Sequence, residues 1–378
     1  MKKFVLAPDS FKGTMSSKEV CFAMADKIKE RFPDAEIVSI PVADGGEGSV
    51  DCFLTAVGGT LIKCPCKNPF FEDIEGYYGI IDQNGVKTAV VEMSAAAGLP
   101  MVEGRKNPLI TTTYGVGQLI GHAINNGCKK VIIALGGSCT NDFGAGMACA
   151  LGIKFFDKNS KEFIPVGQTL SNVEKIDLTT LNEKVKGVEF VTMCDIDNLP
   201  YGKTGAAYVF APQKGADQNA VEILDQGVKH LCDVYFKQFG VDLSTLKGGG
   251  AAGAMGAGTV AFLGSRMAMG IDVVLETVGF KKVIEDADYI FTGEGKIDGQ
   301  SLRGKVVIGI ARIAKEQNVP VISIVGGAEG DLSEAYNQGV SAIFAINRLP
   351  QDFSISRHNS LDNLKFTMEN VLRLINVQ

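Results

Sequence analysis

Pro41-Val42-Ala43-Asp44-Gly45-Gly46-Glu47-Gly48 lies between an apolar run, Glu36 to Pro41, and a short helical stretch, Ser49 to Val57. A strand, an acidic glycine-rich loop and a helix make one βα step of a parallel sheet. Glycine lets the backbone approach a ligand closely. A carboxylate packed among glycines has little apolar cover, so it suits a metal ion, a hydroxyl proton or a phosphate-bound cation better than a core. Thr292-Gly293-Glu294-Gly295-Lys296-Ile297-Asp298 repeats that character after the strand-like Tyr289-Ile290-Phe291. Two such loops indicate an α/β enzyme that handles polar, charged small molecules.

The neighbouring steps have the same form. Lys3 to Ala7 reads as a buried strand, and Ser16-Ser17-Lys18-Glu19 is a capping box with Val20, Met24 and Ile28 at helical spacing behind it. After Cys66 the character changes. Gly76 to Ile81 and Lys87 to Met93 flank Asp82-Gln83-Asn84-Gly85, whose Asn-Gly pair signals a hairpin. Thr113 to Asn126, Gly144 to Ala150 and Asn219 to Phe239 read as helices, Val131 to Leu135 and Phe190 to Cys194 as strands. The end of the chain returns to the first pattern: a helix over Gly304 to Lys315, strands Pro320 to Val325 and Ala342 to Ile346, and a helix over Leu361 to Ile375. The expected fold is α/β. A doubly wound parallel-sheet domain is built from residues 1–65 and 285–378, and a second α/β domain, residues 66–284, is inserted into it.

Composition narrows the function. Lys+Arg is 37 and Asp+Glu is 43, a net charge of −6, which argues against nucleic-acid or anionic-membrane binding. Glycine makes up 45 of 378 residues, above the usual level of about 7%, and clusters in loops. Met1-Lys2-Lys3 runs straight into Phe4-Val5-Leu6 and no apolar run approaches the length that spans a membrane, so neither a signal peptide nor a transmembrane helix is expected. The nine cysteines lack a Cys-x-x-Cys pair, so a reduced, cytoplasmic protein is expected. Only His122, His230 and His358 are present, which moves the chemistry from triads and zinc toward Asp, Glu and Lys.

In a doubly wound sheet ligands bind beyond the carboxyl ends of the strands. Five loops fit: Asp9-Ser10-Phe11-Lys12-Gly13, Asp44 to Gly48, Gly136-Gly137-Ser138-Cys139-Thr140-Asn141-Asp142, Cys194-Asp195-Ile196-Asp197-Asn198, and Thr292 to Asp298. A single Asp past a strand is commonly a turn or cap residue; five acidic loops favour a shared cleft. Gly299-Gln300-Ser301-Leu302-Arg303-Gly304-Lys305 has Walker A spacing, but Val306 stands where Ser or Thr should bind Mg²⁺, so this is not a P-loop NTPase. Gly248-Gly249-Gly250-Ala251-Ala252-Gly253 matches G-x-G-x-x-G but follows the polar Ser244-Thr245-Leu246-Lys247. It reads either as an anion nest at a helix start or as a tightly packed glycine-alanine helix. Lys12 and Lys296 are either solvated surface charges or cations facing a transferring phosphoryl group. Cys139 has no histidine nearby in sequence to make it a nucleophile.

Together these loops resemble the type I glycerate kinases. The resemblance rests on Ala7-Pro8-Asp9-Ser10-Phe11-Lys12-Gly13, Ala43-Asp44-Gly45-Gly46-Glu47-Gly48, Met93-Ser94-Ala95-Ala96-Ala97-Gly98-Leu99 and Thr112-Thr113-Tyr114-Gly115-Val116-Gly117. It continues through Ala134-Leu135-Gly136-Gly137-Ser138, Thr140-Asn141-Asp142, Cys194-Asp195-Ile196-Asp197-Asn198, Pro212-Gln213-Lys214-Gly215-Ala216, Gly248 to Gly253 and Thr292 to Asp298. These lie in family order from residue 4 to about 327. Cys139 stands where the family commonly has Ala, Phe143 where it has Gly, and Val306 where it has Pro; Leu199-Pro200 inverts the usual Pro-Leu. Phe143, beside Asp142, is expected to narrow the cleft.

The resemblance implies ATP-dependent phosphorylation of D-glycerate with Mg²⁺, with 2-phosphoglycerate the usual product. It also implies a Rossmann-like domain carrying an inserted α/β domain, the active site lying in the cleft between them. Loop position and family phrase then give the expected roles. Asp195 is the favoured base, with Asp44, Asp197 and Asp298 as rivals, and Lys12 and Lys296 join it as catalytic residues. Asp195, Asp197 and Asp298 are candidate metal ligands. Asp9, Ser10, Lys12, Asp44, Asp197 and Arg303 are expected on the substrate. Gly136, Gly137, Ser138, Thr140, Asn141, Gly248, Gly249, Gly250, Gly253 and Glu294 are expected on the nucleotide. The partners are glycerate and ATP, with no nucleic acid or membrane, and a homo-oligomer is compatible with the sequence. Two rivals remain at this point: a nicotinamide-dependent hydroxy-acid dehydrogenase, and a non-catalytic small-acid-binding regulatory protein.

Overall fold

A computed structural model of the chain describes residues 1–42, 45–46, 48–299, 301 and 305–376. Its strands, in chain order, are β1 (Lys3–Pro8), β2 (Glu36–Ser39), β3 (Thr60–Lys67), β4 (Asp73–Gln83), β5 (Val86–Glu92), β6 (Lys130–Ala134), β7 (Lys154–Phe156) and β8 (Glu162–Phe163). They continue with β9 (Lys175–Asp177), β10 (Glu189–Met193), β11 (Arg266–Ala268), β12 (Tyr289–Gly293), β13 (Lys296–Ile297), β14 (Val321–Val325), β15 (Gly327–Ala328) and β16 (Val340–Ala345). The chain divides into two compact units. The first holds residues 1–44, 51–57 and 269–378, the second residues 45–50 and 58–268. Residues 58–65 therefore lie in the second unit and residues 269–284 in the first.

The first unit is built on a parallel sheet in the order β16-β14-β12-β1-β2. From β1 the chain steps outward to β2, then returns on the other side of β1 and continues through β12, β14 and β16. The winding thus reverses between β1 and β12. Alternate side chains of a strand face opposite ways. Phe4, Leu6, Phe291, Ile322 and Ile324 meet Val20, Met24 and Ile28 of the helix Ser17–Arg31 and Leu364 and Met368 of the helix Ser360–Ile375. The helix Val306–Glu316 packs on β1, β12, β14 and β16 with Val306, Val307 and Ile310 buried. The expected capping box is present: Ser16 Oγ accepts from Glu19 N–H at 3.3 Å, and Ser16 N–H donates to Glu19 Oε2 at 2.8 Å. Val306 is the first residue of its helix, a position that tolerates proline because its N–H has no partner within the helix.

The second unit carries a mixed sheet in the order β11-β10-β6-β5-β4-β3, in which β11, β10, β6 and β5 are parallel. β4 and β5 form the expected hairpin, with Gln83 opposite Val86 and both Asn84 (φ 55°) and Gly85 (φ 82°) left-handed. β3 went unread in the sequence because most of its side chains are solvated and Pro65 interrupts it; a proline suits this edge position.

Candidate active site

The carboxyl ends of β1 and β12 gather the first set of expected residues. The Asp9 N–H donates to Gly293 O at 2.8 Å and Thr292 Oγ1 donates to Ala7 O at 2.9 Å, fixing the two ends side by side. Asp9 is buried and accepts from the Ser10 N–H at 2.6 Å, while Lys12 is exposed. Glu294 is 7% exposed, and burial pushes its carboxyl up to about 7. Ser301, Lys305 and Lys12 pull it down, and Asp298 adds to the rise. Its Oε1 has no hydrogen-bond partner among the described residues. Lys296 pairs with Glu329 at 2.5 Å and Asp298 at 3.5 Å, and Glu329 is the larger cause of its raised pKa. These strand ends open on a cavity of about 550 Å³, whose wall includes Lys12, Lys296, Gly327, Glu329, Asn347 and Phe353. Asp44 and Arg303 lie outside the described residues.

The second unit holds the remaining candidates at the ends of β6 and β10. Gly136 donates its N–H to Gly45 O at 3.0 Å, and a Cβ on Gly136 would stand 2.4 Å from Gly46 Cα, so two bare backbones meet there. Asp195 is half-buried and Asp197 exposed on the loop after β10. That loop is braced: Asn198 Nδ2 donates to Thr204 O at 2.7 Å, and Asn198 O accepts the Gly250 N–H at 3.0 Å.

The Gly248–Gly253 stretch is occupied from within the protein. The N–H groups of Gly249, Gly250 and Ala251 donate to Leu246, Asn198 and Gly248 carbonyls. The helix Ala251–Leu263 is kinked at its start, with Ala252, Gly253 and Ala254 all left-handed. A Cβ on Gly253 would lie 2.1 Å from Thr140 O. The tight-packing reading thus describes this stretch, and its donors at 249–251 are spent on carbonyls rather than available to phosphate.

Beneath it lies a buried polar cluster that brings the expected Ser138, Thr140 and Asn141 together with Lys214 and Asp142, to which sequence reasoning gave no role. Lys214 is 2% exposed and donates through Nζ to Ser138 Oγ at 2.8 Å and Thr140 O at 2.7 Å; burial lowers its pKa to about 8. Asp142 accepts from Thr113 N–H and Oγ1, both at 2.8 Å, and from the N–H groups of Gly144 and Gly146. Thr140 Oγ1 and the side-chain amide of Asn141 are buried without partners among the described residues. Glu92, 1% exposed at the end of β5, accepts from Val50 N–H at 2.6 Å and Ser94 Oγ at 2.8 Å. The only sequence signal for Lys214 was its place in Pro212-Gln213-Lys214-Gly215. Nothing in the sequence singled out Glu329, Asn347 or Phe353.

Two expectations need settling. Phe143 does not border an open space: it is fully buried at φ 58° and meets Phe262 edge-on at 5.9 Å, so its ring fills the core where glycine would ease the backbone. Cys139 is buried and its thiol is pushed up to about 12 by that burial, which leaves it unreactive. His122 bonds Tyr78 and His230 lies 2.7 Å from Val173 O, both structural contacts.

Residues 4–376 match the family model described as the glycerate kinase family. The chain is 42% identical over 345 residues to a glycerate kinase of Bacillus subtilis, covering 91% of this chain and 90% of that one. It is 41% identical over 345 residues to the glycerate 2-kinase of Escherichia coli, with the same coverage. A crystal structure described as a candidate glycerate kinase 2 from Salmonella typhimurium LT2 superposes with a TM-score of 0.87 at 36% identity, covering 100% of this chain and 98% of that one.

Proposed function

This chain belongs to the glycerate kinase family and is an enzyme, and we propose that it transfers a phosphoryl group from ATP to a hydroxyl of D-glycerate, with 2-phosphoglycerate as product. The observation that carries the reading is that acids and lysines stand past the carboxyl ends of parallel strands: Asp195 and Asp197 after β10, and Glu294, Lys296 and Asp298 after β12. A hydroxyl becomes a competent nucleophile as a carboxylate takes its proton, and Asp195 takes that role in this reading, its half-burial after β10 supporting it. Lys12 and Lys296 offset the charge on the transferring group. Asp9 and Ser10 orient the substrate, and Ser138, Thr140 and Asn141 add polar contacts.

Among the described residues no three acidic, histidine or cysteine side chains form a metal cage. Mg²⁺ in kinases takes one or two carboxylates plus phosphate oxygens and water, a donor set to which Asp197, exposed two residues beyond Asp195 on the same loop, can contribute. When bound, Mg²⁺ supplies charge neutralisation at the phosphates. Free thiols at all nine cysteines suit a reducing compartment, the cytoplasm. No helix among the described residues is long and apolar enough to cross a membrane.

The test is a coupled ADP-release assay with D-glycerate, ATP and Mg²⁺, the product identified by phosphorus NMR. Asp195→Asn is expected to lower turnover by about a hundredfold or more with the fold retained. Turnover within a few-fold of wild type would remove Asp195 from the base role.

A further inference from the structure

We propose that the cavity at the carboxyl edge of the five-stranded sheet seats the nucleoside of the phosphoryl donor: base against Phe353, ribose hydroxyls on Glu329, phosphates toward Lys12 and Lys296. The proposal rests on the kinase reading above and names the place where that donor binds. Three observations within the first unit carry it.

The first is location. The cavity wall takes residues that follow β1, β12, β14 and β16, and the winding reverses between β1 and β12. In doubly wound sheets that reversal opens the crevice in which nucleotides lie. The second is size. About 550 Å³ falls in the range of small-molecule sites, roughly 300–1,000 Å³, and a three-carbon acid would leave most of it unfilled. The third is the chemistry of the wall. Phe353 is 58% exposed and the tip of its ring reaches Gly13, with Cζ 3.6 Å from where a Cβ would stand. It therefore presents an aromatic face that a base can cover. Glu329 stands in the cavity wall just past the short strand β15 and holds the Lys296 ammonium at 2.5 Å, so its carboxylate is a hydrogen-bond acceptor within the cavity for ribose hydroxyls. A Cβ on Gly327 would meet nothing within 4 Å, so the backbone there is open to a ligand.

The experiment uses the full-length enzyme and reads binding apart from turnover. Calorimetric titration of ATP is expected to show about tenfold weaker binding to Phe353→Ala, with Phe353→Tyr close to wild type. In steady state the KM for ATP should rise by a similar factor while the KM for D-glycerate stays within about twofold. Glu329→Gln should bring 2′-deoxy-ATP and ATP to similar kcat/KM, where the wild type prefers ATP. Unchanged ATP affinity in Phe353→Ala, or a change confined to the KM for glycerate, overturns the cavity assignment. A wild-type enzyme that binds ATP in this way and yet releases no ADP with glycerate overturns the kinase reading instead.

Discussion

Two glycine-rich stretches of this molecule look alike in sequence and are used in opposite ways. Gly248–Gly253 is interleaved with alanines, and its backbone is pressed against the Thr140–Asn141 and Asn198–Leu199 backbones. Thr292–Asp298 is interleaved with Glu294, Lys296 and Asp298, and it borders the cavity beside Gly327. Glycine permits close approach, but it does not say what approaches. Here the intervening residues decide: small apolar ones admit the chain's own backbone, and charged ones keep solvent or ligand nearby.

The sharpest break between the two stretches is expected from adding one methyl group. Gly253→Ala must place Cβ at 2.1 Å from Thr140 O and 2.4 Å from Asn141 Cα, at φ +68°. Backbone on both sides cannot yield cheaply, so a loss of more than about 3 kcal/mol is expected, or failure to fold. Urea unfolding of the variant measures it. A midpoint near wild type would show that the stretch is looser than described and available to a ligand after all.

A second contrast is electrical and of intermediate size. Glu294 within one stretch and Lys214 beneath the other are both buried, and their effects on stability run in opposite directions with pH. Glu294 has its folded pKa raised from 4.5 to about 7. Its contribution is fully present below the unfolded value and is lost as pH rises through 7. Lys214 has its folded pKa lowered from 10.5 to about 8. Its contribution is fully present above the unfolded value and is lost as pH falls through 8. Each window corresponds to at most about 3 kcal/mol. Glu294→Gln should flatten the stability profile between pH 4.5 and 7, and Lys214→Met should flatten it between 8 and 10.5. Parallel curves for variant and wild type would mean that these groups titrate as in the unfolded chain.

Much of the fold was legible because its signals are local. The Ser16–Glu19 box, the Asn84–Gly85 turn and the apolar runs of β1, β6, β12 and β14 each fix an element from a few neighbouring residues. β3 was not legible, because an edge strand with solvated side chains and a proline carries little periodic pattern. The acidic loops were legible as candidates from their place after strands. The partners of Lys214 were not, since Ser138 and Thr140 lie more than seventy residues away in sequence and meet it only through folding. Phe143 shows the limit most plainly: adjacency to Asp142 suggested a cleft, yet its ring turns into the core toward Phe262.

The smallest effect belongs to the open stretch. Gly327→Ala adds the same methyl group as Gly253→Ala, but to a position with no atom within 4 Å and no left-handed backbone requirement. Stability should change by less than about 0.5 kcal/mol. If the space beyond that Cα is where a nucleotide lies, the methyl group must compete with it, so the KM for ATP should rise a few-fold while thermal unfolding is unmoved. A variant whose stability falls as far as that of Gly253→Ala would erase the distinction between the two stretches. One with neither effect would keep the packing contrast and leave Gly327 out of contact with the nucleotide. The pairing of the two alanine variants therefore separates backbone that the protein needs for itself from backbone that it holds open.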